Sequence, residues 1–455
     1  MEPILAANAD LAWMLAAFVF VLLMFPGLAF FYGGMVGSKN VLNIMTMVMS
    51  TLAITAVLYV VIGHGLVSGP SVGGWGLIGN PTDYIGLTNW LTDDASGATQ
   101  TLYFAAWFIL FAAITIAIVA SGAAGRMKFS AWLVFAPIWL IVVYFPVAHW
   151  VFAADVDDNY SGGFLLNDLE IVDYAGGTAV HMNAGVAALA LAVVLGARKR
   201  RMERPHNVPM TIMGGGILFF GWFGFNGSCA LGANFLAHVI LNTLLAGSAG
   251  MIGFAIIEKW REGHVTSLGM ITGTVAGLVG ITPAASSMAP LGALLVGIFA
   301  AAVVAFLLSF KSKLKIDETL DAFAVHGIGG IVGTICIVLF ATEAAPAGVQ
   351  GILFGGPVDI VWRELAGIVI TCTYSFVMTW LIAKGLDKLI GMRVDEETEM
   401  VGLDTAVHAE TAYEIPAASV GHAGGLATMS PARAADKVEE AMPPSTPASA
   451  PPAGV

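Results

Sequence analysis

DYAGGTAVHMNAG (residues 173–185) and DAFAVHGIGGIVG (residues 321–333) decide how this chain is to be read. Each opens on an aspartate and then sets one histidine, His181 or His326, among glycines and small apolar residues. An ionisable side chain at membrane depth is costly, and it usually faces a bundle interior or a pathway. A lone histidine of this kind is as well explained by a hydrogen bond to a neighbouring helix. Two at corresponding points of a repeat are better explained by a shared pathway.

The surroundings make membrane depth the expected setting. The chain has 455 residues, 58% hydrophobic and 11% charged, with a mean hydropathy of +0.84. Soluble globular domains carry about 25% charged residues. This composition excludes a soluble enzyme of this size, a nucleic-acid binder and a disordered scaffold, and it leaves a polytopic membrane protein. Fifty-four glycines suit close helix packing in lipid. Cys229, Cys336 and Cys372 lie in apolar segments without CxxC or Cys/His spacing, so neither disulfides nor a metal centre is expected, and no cofactor. MEPILAANAD carries acids instead of a positive n-region, so the first apolar run is expected to remain as a helix.

A membrane-crossing helix needs about 20 mostly apolar residues. Such runs lie near 11–34, 41–68, 100–124, 130–152, 174–196, 208–228, 233–257, 267–285, 289–309, 320–341 and 362–388. The expectation is therefore an all-α polytopic membrane protein of eleven transmembrane helices. Lysine and arginine set its orientation. Lys39, Arg126, Lys128, Arg198–Arg201, Arg204, Lys259, Arg261, Lys311, Lys313 and Lys315 all fall on alternate connections. The opposite connections hold acids such as Asp83, Asp155, Asp168 and Glu343, and Arg363 alone of the nineteen basic residues falls near that side. The N-terminus is expected outside and the C-terminus inside.

Ten helices can form two five-helix repeats, with the eleventh appended. Five is odd, so the halves would be inverted, as in many transporters. His181 and His326 would then occupy the equivalent fifth and tenth helices. Asp173, at the start of the fifth, is placed to cap the amides of Ala175 and Gly176 or to face a cation. Trp107 and Phe111 lie four apart on the third helix, Phe152 ends the fourth, and Phe225 ends the sixth. Any one ring alone is ordinary packing, whereas several around a small cation contribute roughly 1–2 kcal/mol each when partly desolvated. Three segments are expected: 1–390 as the membrane domain, 391–413 as a structured cytoplasmic tail, and 414–455 as a disordered Pro/Ala-rich extension in which Arg433 and Lys437 are simply solvated.

Several longer strings carry a family resemblance: PGLAFFYGGMVGSKNVLN (26–43), DYAGGTAVHMN (173–183), PHNVPM (205–210), GWFGFN (221–226), AGLVGITPA (276–284), AVHGIGGIVGT (324–334) and MRVDEETEMVGLD (392–404). In this order the chain resembles the Amt/Mep/Rh ammonium transporters, bacterial Amt type, from about Ala12 to Tyr413. The resemblance implies a homotrimer in the bacterial cytoplasmic membrane with one pore per subunit. Phe111 and Phe225 would form the pore gate, and His181 and His326 the paired histidines. Trp107, Phe152, Asp173, Ser228 and Cys229 would form the ammonium-binding site. A neutral ammonia would then cross, with the proton co-translocated. The tail at 391–413 would be regulatory and would meet a PII-type signalling protein, with no nucleic acid involved.

Four positions depart from the family pattern. Phe152 stands where a Trp is usual and Trp107 where a Phe is usual, so one indole is kept by exchange. Cys229 replaces a serine, with Ser228 beside it, and Gly125 replaces an acid before Arg126. Phe152, Cys229 and Gly125 favour one alternative, an ammonium sensor with little flux; a second alternative is an Rh-like neutral gas channel. Trp107 and Asp173 speak against the gas channel, which needs no cation site. No nucleophile–base set suggests an enzyme.

Overall fold

The computed structural model of the protein describes residues 2–91, 95–156, 160–199, 205–230, 232–310 and 316–413. The expected extension 414–455, with Arg433 and Lys437, lies outside the described residues, as do Arg200, Arg201, Arg204, Lys311, Lys313 and Lys315. Among the described residues the regular structure is helical, and β pairing is limited to two isolated bridges, Ser71 with Gly79 and Met127 with Arg393.

Among the described residues, ten helices are long and apolar enough to span a membrane. In chain order they are α1 (Ala9–Met35), α2 (Val41–Ser68), α3 (Leu102–Ala123), α4 (Phe129–Phe152), α5 (Gly177–Leu195), α6 (Val208–Gly227), α7 (Asn234–Glu262), α9 (Pro290–Leu308), α10 (Phe323–Phe340) and α11 (Asp359–Ile390). Between α7 and α9 lies α8 (Ser267–Ile281), apolar but only 15 residues long. The expected eighth span, 267–285, is thus shortened. After Ile281 the chain leaves the helix in a buried run of turns from Thr282 to Met288, led by Pro283. Non-helical backbone at membrane depth is tolerated only where protein covers it. Here Trp222 donates to Thr282, and Asn242 donates to the carbonyls of Ala285 and Met288.

Small residues set how closely the helices approach. α1 lies along α6, where a Cβ on Gly214 would stand 2.2 Å from the backbone nitrogen of Phe31. α5 and α10 cross equally closely, since a Cβ on Gly185 would stand 2.2 Å from the nitrogen of Gly327. Both helices open with a π turn, Gly177–Met182 and Phe323–Ile328, and each turn carries its histidine. The wider π turn rotates the side chains that follow it, and such turns recur at functional sites.

One end of the helices is basic. There Arg126, fully buried, donates to the carbonyls of Gly122 and Asp317, and Arg198 pairs with Asp317 at 2.7 Å. Burial pushes the Arg126 guanidinium down to about 10. Two short helices after Ile390, α12 (Glu396–Val401) and α13 (Leu403–His408), fold back onto this end. Asp404 accepts from the amides of Leu42 and Asn43 at 3.1 and 2.8 Å and so caps α2. Arg393 donates to the carbonyls of Leu195 and Ala197. Val394 donates its amide to Arg126, and Lys128 donates to Met392.

Candidate functional site

At the acidic end, aromatic rings form a continuous column. Trp107 packs on Phe111 with centroids 4.0 Å apart, as their four-residue spacing on α3 requires. Phe111 lies flat on Phe225 of α6 at 4.1 Å and 5°. Both phenylalanines are shielded from solvent, at 0% and 1% exposure. Phe225 in turn sits 5.7 Å from His181. Phe152 is half-buried and joins this group through Phe108, 5.9 Å away, which itself packs on Trp107 at 5.0 Å.

Below the phenylalanines, His181 and His326 face each other. Their Nδ1 atoms are 3.1 Å apart and their ring planes are inclined by 28°. Two nitrogens at this distance share one proton: one ring donates through Nδ1–H and the other accepts on its Nδ1 lone pair. For two neutral imidazoles the outward Nε2 atoms are then opposite in kind, one a lone pair and the other an N–H. His181 Nε2 is buried with no hydrogen-bond partner among the described residues. Trp222 stacks on His181 at 5.3 Å and fixes its plane from behind. The pair lines a narrow space with Met24, Leu28, Ile114 and Leu218. Every other lining residue is apolar or aromatic, so an ion entering it would lose its hydration without replacement.

Asp173 sits at the head of this segment. Its Oδ1 accepts from the amides of Gly176 and Gly177 at 3.0 and 2.6 Å, and its Oδ2 from Thr178 and Ala179 at 2.8 and 3.1 Å. The cap therefore reaches four amides, and Ala175, expected among them, is replaced by residues further into the turn. Gly176 is the reason: its φ of +101 turns the chain so that the next amides converge on the carboxylate. Burial pushes the Asp173 carboxyl up, while the four amides pull it down. The aspartate presents its charge through the cap, with both oxygens already committed to the backbone.

Ser228 and Cys229 follow Phe225 at the end of α6. Ser228 Oγ donates to the Phe225 carbonyl at 3.1 Å, which ties it to the ring of the stack that meets His181. Cys229 is half-buried near Ser228 and Asp173. Burial pushes its thiol well up, against a hydrogen bond from Ser228, so it stays protonated at neutral pH. Trp107 Nε1 is buried and also lacks a hydrogen-bond partner among the described residues, a free donor at the same end.

The structure thus brings together Trp107, Phe111, Phe225, His181 and His326 as one stack, with Asp173, Ser228 and Cys229 around its top. Phe152 joins only through a neighbour. Two residues of the stack are absent from the sequence reading. Phe108 follows Trp107 directly, and adjacent helical residues do not share a face, so its bridging role needs α4 in place. Trp222 lies three before Phe225, a spacing that puts both on one face of α6 and signals the contact in advance.

Comparison with known proteins fits this architecture. Residues 12–413 match the family described as Ammonium Transporter Family. An ammonium transporter of Corynebacterium glutamicum is 51% identical over 417 residues, covering 91% of this chain and 92% of its own. The crystal structure of Saccharomyces cerevisiae Mep2 superposes with a TM-score of 0.78 at 29% identity, covering 86% of this chain and 88% of its own. A structure titled Sensor Amt Protein superposes with a TM-score of 0.81 at 27% identity, covering 90% of this chain and all of its own. The chain belongs to the Ammonium Transporter Family.

Proposed function

We propose that this protein transports ammonium across the bacterial cytoplasmic membrane and moves it through the pore as ammonia. One observation carries the proposal: the His181–His326 pair lies beneath the Phe111–Phe225 stack in an otherwise apolar space. Ammonium and potassium are alike in size and charge, and either ion would pay tens of kcal/mol, by order of magnitude, to enter such a space bare. Ammonium alone can leave a proton behind. The aromatic group of Trp107 and Phe152, with Ser228 and Cys229, collects the cation, and the capped charge of Asp173 favours it. The proton is lost near Phe111 and Phe225. Ammonia, a donor and an acceptor, then meets the two complementary Nε2 atoms of the histidine pair, and the proton follows separately.

The basic end lies in the cytoplasm in this reading, with the N-terminus outside, α1–α5 and α6–α10 as inverted repeats, and α11 appended. The subunits form a homotrimer. Segment 391–413 is its regulatory element, docked on the basic end through Asp404 and Arg393 and open to a PII-type protein. A sensing role is the second reading. It is favoured by Cys229, whose protonated thiol is a poorer partner for a cation than a hydroxyl.

The test is the current evoked by an ammonium pulse on proteoliposomes, compared with potassium. We expect an ammonium-specific transient that His181→Ala and His326→Ala each reduce at least tenfold. Flux and selectivity unchanged in both variants overturn the proposed route. Intact ligand binding with neither current nor pH change in the lumen supports the sensor instead.

A further inference from the structure

Helix α11 touches the segment that carries Asp173 and His181 at two points. Before that segment, Glu364, only 2% exposed, accepts the amide of Val172 on Oε1 at 2.7 Å. After it, Ser375 Oγ donates to the carbonyl of Asn183 at 2.7 Å. Val172 directly precedes Asp173, and Asn183 directly follows the π turn that holds His181. Glu364 and Ser375 both lie on the buried stripe of α11, with Gly367, Ile368 and Thr371 between them. Gly367 sits against Ile171, so the helix is pressed onto the chain just before the cap.

The two sides of this contact differ in stiffness. α11 is a continuous helix in which residues 11 apart are held about 16 Å from each other. The facing segment is non-helical at its entry, left-handed at Gly176, and then a π turn. Its interior is held by the Asp173 cap and by Val180 and His181 donating to the Gly176 carbonyl, while its two ends, at Val172 and Asn183, are placed by what they bond to on α11.

We infer that Glu364 and Ser375 are positioning residues, and that α11 is the ruler that sets the spacing between Asp173 and His181. The inference rests on the transport reading above. Glu364 fixes the entry to the Asp173 cap and so acts on cation capture. Ser375 fixes the exit from the π turn and so acts on the histidine pair.

The test is the concentration dependence of ammonium-evoked flux in proteoliposomes of the full chain. Glu364→Ala should raise the half-saturating concentration at least fivefold, with the maximal rate within twofold of wild type. Glu364→Gln, which keeps an oxygen acceptor for Val172, should restore wild-type half-saturation. Ser375→Ala should lower the maximal rate at least threefold and leave half-saturation within twofold. If Glu364→Ala does not assemble, Glu364→Met keeps the volume without a strong acceptor and should behave as predicted for alanine. The inference is overturned if Glu364→Gln matches Glu364→Ala, because charge and not position would then be at work. It is also overturned if Glu364→Ala or Ser375→Ala equals wild type, or if both alter the same parameter. Asp173→Asn and His181→Ala run alongside. If they too leave both parameters unchanged, the transport reading fails; if they act while the α11 variants do not, only the ruler fails.

Discussion

Phe111 and Phe225 lie face to face, with ring centroids 4.1 Å apart and planes 5° from parallel, yet their neighbours differ. Phe111 has Trp107 on its other side, whereas Phe225 touches His181 and Trp222, each at 5.7 Å. The two rings are therefore not equivalent. Phe225→Ala removes the cover of the histidine and admits water to the apolar space, while Phe111→Ala leaves that cover in place. We expect Phe225→Ala to cut ammonium flux at least tenfold and Phe111→Ala less than threefold, measured as initial rates in proteoliposomes.

The close crossing of α5 and α10 holds the histidines together. A methyl group on Gly185 would stand 2.2 Å from Gly327 N and 2.7 Å from Gly327 Cα, both rigid backbone atoms. Gly185→Ala must therefore spread the helices, at a cost of about 1–3 kcal/mol. It must also lengthen the 3.1 Å Nδ1–Nδ1 contact. The expected result is a lower melting temperature in detergent together with flux reduced at least tenfold. Wild-type flux would show that the pair tolerates separation.

At the basic end, burial pushes the Asp317 carboxyl up, but its paired hydrogen bonds with Arg198 outweigh this and hold it at about 2. A depressed carboxyl stabilises the fold at pH above its ordinary value near 4, and that stability is lost as pH falls from about 4 to 2. After solvent screening at this partly open pair, the shift corresponds to about 1 kcal/mol. Asp317→Asn should melt earlier than wild type at pH 7, and the difference should close as pH approaches 2. A difference independent of pH would mean the pair contributes through packing alone.

Asp404 caps α2 through two amides, as a side chain supplied from the other end of the sequence. Asp404→Ala should cost about 1 kcal/mol. It should also loosen the segment from Met392 to His408, making it cleavable by trypsin at Arg393. Equal cleavage in wild type and variant would show that the other contacts of Arg393 suffice to hold it.

The helical membrane class, the long apolar spans and five members of the stack, Trp107, Phe111, Phe225, His181 and His326, are legible in the sequence. They follow from run length, composition, the four-residue spacing of Trp107 and Phe111 and the family resemblance, whereas Phe108 and Trp222 are absent from that reading. What those residues do to one another comes from the packing of distant segments. The nitrogens of His181 and His326 meet across 145 residues of chain, because Gly185 lets two π-turn helices cross without side chains between them. Phe152 reaches the group through Phe108, and the eighth span ends early in a buried turn held by Trp222 and Asn242. Asp173 binds four amides instead of the nearest two because Gly176 turns the backbone toward it. Glu364 reads in sequence as a polar residue near the start of the last helix. Its contact with Val172 depends on packing between segments 192 residues apart, and no local pattern encodes a distance of that kind.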